Sequence, residues 1–289
     1  MDSNEILRLQ AAAVKSNKTW SQTHAVTKQE TVAYARATNE QNARYEQGAV
    51  APPMYAVFLE MPPLMAAVKD PEVIGDPKRF LRLLHGEHDL RWHGPLVPGA
   101  TYETIVRVQK SETKSSGEVI TLGLDTIDQA SKKRIVETVS TMFIRSEQPA
   151  EPGEKKPESA EKPAERQPIF VAHETVAADQ ALRYADASGD HNPIHKDPEI
   201  AKKAGLPGTI LHGLCCLAFC QKAIVDQLCG GDPAKLKRLK VRFTKPVLMG
   251  QTIEIRAYDL ETNGGVRTIG YDARVGSSVV LKDGVAEIA

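Results

Sequence analysis

Tyr184-Ala-Asp-Ala-Ser-Gly-Asp-His-Asn-Pro-Ile-His195 is the stretch on which the reading of this chain turns. It sets a carboxylate at 190, an amide at 192 and an imidazole at 195. On a helix, at about 100° per residue, Asp190 and His195 would stand roughly 140° apart, too far round to meet one substrate. Pro193 removes a backbone donor and disfavours helix at Asn192. Gly189 and the Asn192-Pro193 pair add turn chemistry. The segment is therefore a loop, and a loop can fold both side chains toward one point. Two proton carriers of different pKa at one point are what general acid–base catalysis requires.

Outward from this loop, the second half reads as a helical front followed by strands. A strand-like run covers 169–173 and a helix 179–187, whereas 196–208 is polar and turn-rich. The most apolar stretch, 210–228, predicts a helix about 28 Å long at 1.5 Å per residue. From Leu214 to Phe219 it is apolar on every side, so that end is expected to be buried all round. Leu239, Val241 and Phe243 then alternate with charges, Ile253, Ile255 and Ala257 follow, and strand patterns run over 266–275 and 279–288. Asn263-Gly264 signals a hairpin between them.

The first half repeats this plan. After a helical or loose lead-in over 1–20, Thr27-Lys-Gln-Glu30 is a capping-box pattern that opens a helix through Ala37. An apolar run from Met54 to Val68 is cut by Pro62-Pro63, which predicts a broken or restarted helix. Strands are expected over 101–108, 118–127 and 134–144, with turns at Ser115-Ser116-Gly117 and Asp128-Gln-Ala-Ser131. Tyr34-Ala-Arg-Ala-Thr-Asn-Glu-Gln-Asn42 aligns with Tyr184 to Asn192 at an offset of 150, and Pro95 and Gly99 match Pro246 and Gly250 at 151. Ala51-Pro52-Pro53 falls opposite Leu206-Pro207-Gly208. This pattern is an internal duplication. The first copy carries Glu40 for Asp190, Arg44 for Ile194 and Tyr45 for His195, so the acid–base pair survives only in the second. Between the copies, 146–168 is rich in Pro, Glu and Lys without apolar periodicity, a solvated linker. The expected organisation is a degenerate domain over 1–145, the linker over 146–168 and a catalytic domain over 169–289.

At 289 residues with 41% apolar content, the chain has room for two ordinary cores. Lys+Arg and Asp+Glu balance at 37 each, which argues against a nucleic-acid partner. An anionic ligand would need a local patch, and the densest basic run is Lys235, Lys237, Arg238, Lys240, Arg242 and Lys245. That run is equally a solvated strand face. Cys215, Cys216, Cys220 and Cys229 lack a usual zinc spacing and read as buried helix residues. Reduced thiols suit a cytoplasmic location. The acidic start lacks a signal core, no 18-residue apolar run exists, and the last residues are no peroxisomal address. His85, His88 and His93 show no fourth ligand and predict no metal site.

The Asp190–His195 stretch resembles the signature of the MaoC-like, hydratase 2 family: an aromatic, a small residue, Gly-Asp-x-Asn-Pro, an aliphatic, His, and a small residue six further on. Here these are Tyr184, Ser188, Gly189, Asp190, Asn192, Pro193, Ile194, His195 and Ala201. Ala187 departs from the usual aliphatic or Gly at a packing position. Leu211-His-Gly-Leu214 and Arg242-Phe-Thr-Lys-Pro-Val247 also look like that family, and the first half resembles its degenerate companion domain. The resemblance implies an α+β, double hot-dog fold, with each antiparallel sheet wrapping a helix. It also implies reversible syn hydration of a trans-2-enoyl-CoA to the (R)-3-hydroxyacyl-CoA, with no metal or other cofactor. By that resemblance Asp190 and His195 activate one water and Asn192 orients it or the dyad. The Gly213 amide, at a helix start where free N–H groups favour an anion, meets the thioester oxygen. Lys240, Arg242 and Lys245 are then candidates for CoA phosphates, and His212 for a structural role at the helix start. A groove left by the Pro62-Pro63 break would take the acyl chain. Alternatives within the resemblance are branched or dicarboxylic substrates such as mesaconyl-CoA, a thioesterase, or a non-catalytic acyl-CoA-binding subunit. No membrane partner is expected, and a homodimer stays open.

Overall fold

A computed structural model describes residue 14, residues 17–146 and residues 166–289. Nearly all of the expected linker lies outside the described residues. The first half runs β1 (Thr19–Ala25), α1 (Lys28–Ala37), α2 (Ala43–Glu46), α3 (Ala56–Lys69), α4 (Pro71–Ile74), β2 (Leu83–Trp92), β3 (Thr101–Lys114), β4 (Gly117–Asp128) and β5 (Arg134–Arg145). The second runs β6 (Phe170–Thr175), α5 (Gln180–Ser188), α6 (Pro198–Lys203), α7 (Gly213–Leu228), β7 (Leu236–Phe243), β8 (Thr252–Asn263), β9 (Val266–Val275) and β10 (Ser278–Ile288). The strands form one ten-stranded sheet in the order β1-β3-β4-β5-β2-β7-β10-β9-β8-β6. Each half thus contributes five strands in matching order, and the two meet where β2 and β7 pair antiparallel. This is the double hot-dog architecture that the resemblance implies.

The seam is stitched on the outer face of the sheet. Arg238 donates to both carboxylate oxygens of Asp89 across it, at 2.8 and 2.6 Å, and to Glu287 at 2.9 Å. Alternation turns Leu239, Val241 and Leu90 to the other side, where all are fully buried. There α7 is buried from Leu214 through Gln221, which fits its lack of a polar face.

The duplication is visible atom by atom. Gly99 N–H donates to Val26 O and Val26 N–H to Ala100 O, and Gly250 N–H donates to Val176 O and Val176 N–H to Gln251 O. Gly99 and Gly250 both sit at positive φ, 89° and 79°. Asn39 and Gly189, 150 apart, both end their helices at positive φ, 56° and 76°. Tyr34 and Tyr184 meet hydroxyl to hydroxyl at 3.3 Å, where α1 and α5 cross. One alignment is corrected. Ala51 N–H bonds Leu96 O as Leu211 N–H bonds Val247 O, so Ala51-Pro52-Pro53 is the counterpart of Leu211-His212-Gly213, not of Leu206-Pro207-Gly208. The proline likeness that suggested the first pairing has no structural equivalent.

The Pro62-Pro63 break is also corrected, because α3 is one helix from Ala56 to Lys69. The prolines remove the N–H groups that would bond the carbonyls of Phe58 and Leu59, but their φ is already helical. Burial of Leu59, Met61, Pro63, Leu64, Ala67 and Val68 holds the helix through the gap. At the other end α7 starts later than 210, because Ile210 bridges Leu248 and Leu211 is still bonded in extended form. The hairpin turn is Gly264-Gly265, both at positive φ, one residue beyond the expected pair.

The two halves differ in the return from central helix to central strand. Thirteen residues separate α3 from β2, including α4 and a 3-10 turn over Pro77–Arg82, but only seven separate α7 from β7. The longer return is pinned by Arg79, which donates to Ile74 O at 2.9 Å and pairs with Glu118 at 2.5 Å.

Candidate active site

The loop after α5 builds the site from local bonds. Gly189 at φ 76° ends the helix in the left-handed conformation that L side chains avoid. Asn192 N–H donates to Asp190 Oδ1 at 3.1 Å, fixing the carboxylate. Asn192 Oδ1 in turn accepts from Ile194 N–H at 3.4 Å and caps the 3-10 turn Pro193–His195. That turn swings His195 inward, where it is 8% exposed. Its Nδ1 donates to Ile210 O at 2.8 Å, which leaves Nε2 with a lone pair. Burial holds the imidazole below its ordinary pKa, against the opposing pull of Asp190, so it is neutral near pH 7.

His212 locks the loop to the head of α7. Its Nε2 donates to the Asp190 carbonyl at 2.9 Å and its ring stacks on His195 at 3.6 Å. Burial pushes its pKa down to about 3. One donor atom each of Asp190, His195 and His212 lies within 4.8 Å of the others. A metal ion would need their lone pairs to converge at about 2 Å. The two imidazoles lie nearly parallel, 24° between planes, so their in-plane lone pairs run side by side and do not converge. A water fits better: hydrogen-bond partners at about 2.8 Å and a tetrahedral angle stand about 4.6 Å apart.

A cavity of about 270 Å³ opens on this point. Asp190, Asn192, His195, Gly213 and Leu214 all line it. Among the described residues no side chain caps α7 and only the Cys215 and Cys216 amides reach the His212 carbonyl, so the Gly213 and Leu214 amides stand ahead of any intrahelical acceptor. At Gly213 a Cβ would come within 2.9 Å of the Phe243 ring. The helix end and the β7 side chain therefore pack as closely as glycine allows.

From the dyad the cavity runs into the first half between α3, the long return and β2, past Met61, Leu64, Met65, Phe80, Leu83 and Met142. On the other side it runs along Thr244, Lys245 and Val280. Of the basic run, only Lys245 lines the cavity, with Nζ 3.2 Å from Ser278 Oγ. Lys240 and Arg242 point to the opposite face of β7 from Leu239, Val241 and Phe243, and Arg242 lies 4.0 Å from Glu87. His191 is exposed, beside Lys196 at 3.3 Å.

His85 is a wall residue that pattern alone did not assign. A bulge at Gly86 puts two residues of β2 opposite one of β5, so His85 and His88 share the inner face. His85 is held by Ser140 Oγ at 3.0 Å and packs on Phe243 at 4.9 Å. Burial pushes His85 down to about 4 and His88 well below its ordinary value, while Glu60, 3.7 Å from His88, is pushed up by burial to about 8.

Residues 159–280 match the MaoC like domain and residues 27–146 the MFE-2 hydratase 2 N-terminal domain. The chain is 32% identical over 214 residues to a probable enoyl-CoA hydratase 2 of Dictyostelium discoideum, covering 72% of this chain and 70% of that one. It is 35% identical to the peroxisomal multifunctional enzyme type 2 of Drosophila melanogaster, of which it spans 36%, and to the peroxisomal enoyl-CoA hydratase 2 of Arabidopsis thaliana, of which it spans 58%. A solved MaoC-like dehydratase from Phytophthora capsici superposes with a TM-score of 0.78 at 28% identity, over 96% of this chain and 98% of that one. A Mycobacterium tuberculosis protein described as a double hotdog fold, 13% identical, shares the fold at 0.61 over 94% of this chain and 96% of that one. The loop, the dyad geometry and these relatives lead to one assignment: the chain belongs to the MaoC-like dehydratase family, with a hydratase 2 N-terminal domain ahead of its MaoC-like domain.

Proposed function

We propose that the protein is an (R)-specific enoyl-CoA hydratase, equivalently a 3-hydroxyacyl-CoA dehydratase, working on an acyl-CoA thioester without metal or other cofactor. The observation that carries this reading is the pairing of Asp190 and His195 within 4.8 Å at a cavity that also exposes the first amides of α7. Water sits between the carboxylate and the neutral Nε2 of His195. Its oxygen attacks C3 of the enoyl group as the dyad takes one proton, and the dyad returns one proton to C2. Both additions come from one face, so the addition is syn. The thioester oxygen gains negative charge meanwhile and is met by the Gly213 amide and the positive end of the helix. Asn192 holds Asp190 in place through its backbone N–H.

The acyl chain takes the apolar arm under Phe80, and the CoA takes the arm beside Lys245. On this reading Lys240 and Arg242 touch phosphate only if the CoA wraps over the sheet edge. The catalytic unit is 169–289, joined through 146–168 to a degenerate unit over 1–145. A cytoplasmic location is proposed on the four buried free thiols. Among the described residues no helix is long and apolar enough to cross a membrane. A homodimer is the proposed assembly, to be read by sedimentation.

The test is loss of enoyl-thioester absorbance over a ladder of enoyl-CoAs, with chiral analysis of product. Asp190→Asn and His195→Ala should each lower turnover by about 10²–10⁴ while the fold is kept. Release of free CoA in place of hydration would instead identify a thioesterase.

A further inference from the structure

The first half holds a closed copy of the working site. Glu40 stands for Asp190, Asn42 for Asn192, Tyr45 for His195, and Pro53-Met54 for Gly213-Leu214. Asn42 even repeats the local bond, accepting from Arg44 N–H at 3.1 Å. Pro53 has no N–H, so only the Met54 amide remains at the head of the 3-10 turn, Pro53–Tyr55, that leads into α3.

This copy has an occupant. Gln221, fully buried, comes from α7 of the other half. Its Nε2 donates to Glu40 Oε1 at 3.1 Å and its Oε1 faces the Met54 N–H at 3.5 Å. One planar amide therefore bridges the Glu40 carboxyl and the Met54 amide, whose counterparts flank the thioester and water in the proposed mechanism. The mouth is fastened over it: Asn42 Nδ2 donates to Gly231 O at 2.7 Å and Arg44 pairs with Asp232 at 2.9 Å.

Gln221 lies eight residues beyond Gly213, and eight residues beyond Pro53 is Met61. Met61 lines the working cavity. Each central helix thus delivers the same position into the other half's site. We propose that this position decides whether a site is open, and that Met61 is a specificity-determining residue that keeps the working site free for substrate. A thioether of nearly the length of a glutamine side chain donates no hydrogen bond and accepts only weakly. It leaves Asp190 and the α7 amides unoccupied, where an amide would fill both.

The inference rests on the proposed function for the identity of the substrate, but its test does not. Met61→Gln should build in the working site the plug that Gln221 forms in its twin. The KM for enoyl-CoA then rises about tenfold or more, the worth of about 1.4 kcal/mol of internal hydrogen bonding that substrate must displace. The kcat falls by a smaller factor, because saturating substrate displaces the plug. Met61→Leu, apolar like methionine, shifts KM far less. Calorimetric binding of butyryl-CoA, which carries no double bond to hydrate, weakens in Met61→Gln by the same factor as KM rises. A cooperatively folded Met61→Gln that binds butyryl-CoA as tightly as the wild type overturns the inference. If the wild type binds butyryl-CoA but hydrates no enoyl-CoA, the proposed function fails and the plug is judged on binding alone. The melting temperature decides without any ligand: Met61→Gln should melt above Met61→Leu, and melting at or below it also overturns the inference.

Discussion

Stability should peak near pH 6.5 and fall on both sides, for two separate reasons. Glu40 and Glu60 are buried, and burial pushes each from 4.5 to about 8, with Asp226 and Glu174 adding to the rise at Glu40 against Gln221 and Lys222. Between those values the native state keeps protons that the unfolded chain releases, so stability declines as pH rises through the window. His85, His88, His195 and His212 are held below 6.5, chiefly by burial. Below 6.5 the unfolded chain gains protons that the native state refuses, so stability declines as pH falls. Above 6.5 the unfolded histidines shed the protons they still hold, an offset that fades within about a pH unit, while the glutamates act throughout. Each glutamate contributes a slope of roughly 1 kcal/mol per pH unit, so by pH 8 the pair costs about 3 kcal/mol, of which the four histidines return roughly half. Urea unfolding at pH 6.5 and pH 8 measures this, with Glu40→Gln and Glu60→Gln alone and together. Each single variant should remove about 1.5 kcal/mol of the fall, and the double variant should leave none. A wild-type stability that is level or rising over this range, or a decline undiminished in the double variant, would refute the reasoning.

Gly213→Ala puts a methyl group within 2.9 Å of Phe243, whose ring is backed by His85. Displacing the amide from the thioester oxygen should cost about 10²-fold in kcat, read by the absorbance assay against an intact melting curve. Prolonged dialysis against a chelator should leave turnover unchanged, because the stacked imidazoles do not converge on an ion. Activity lost on chelation and restored by a divalent metal would replace the water-only mechanism.

How much the sequence disclosed depends on how local each feature is. The capping box is a four-residue affair, and both of its reciprocal bonds form between Thr27 and Glu30. The strand over 266–275 falls where its alternation puts it, as β9. β1 was missed because Thr-Trp-Ser-Gln-Thr-His-Ala is an edge strand with little apolar alternation. β2 was missed because its bulge at Gly86 breaks the period of two on which strand reading depends. The loop bearing Asp190 and His195 announced itself by composition within six residues. Met61, Phe80 and Phe243 could not, since an apolar residue looks alike in a core and in a substrate cavity. The partnership of Gln221 with Glu40 spans 181 residues and exists only once the sheet has closed.

The unequal returns, thirteen residues after α3 and seven after α7, carry one further consequence. Two identical chains paired about a true dyad would have to change both clefts with every mutation. Here the tether removes that obligation. Lengthening one crossing enlarges a single cleft, while the short crossing keeps the opposite one sealed as a rigid buttress. Substrate range can therefore drift on one side of the molecule without eroding the side that holds it together.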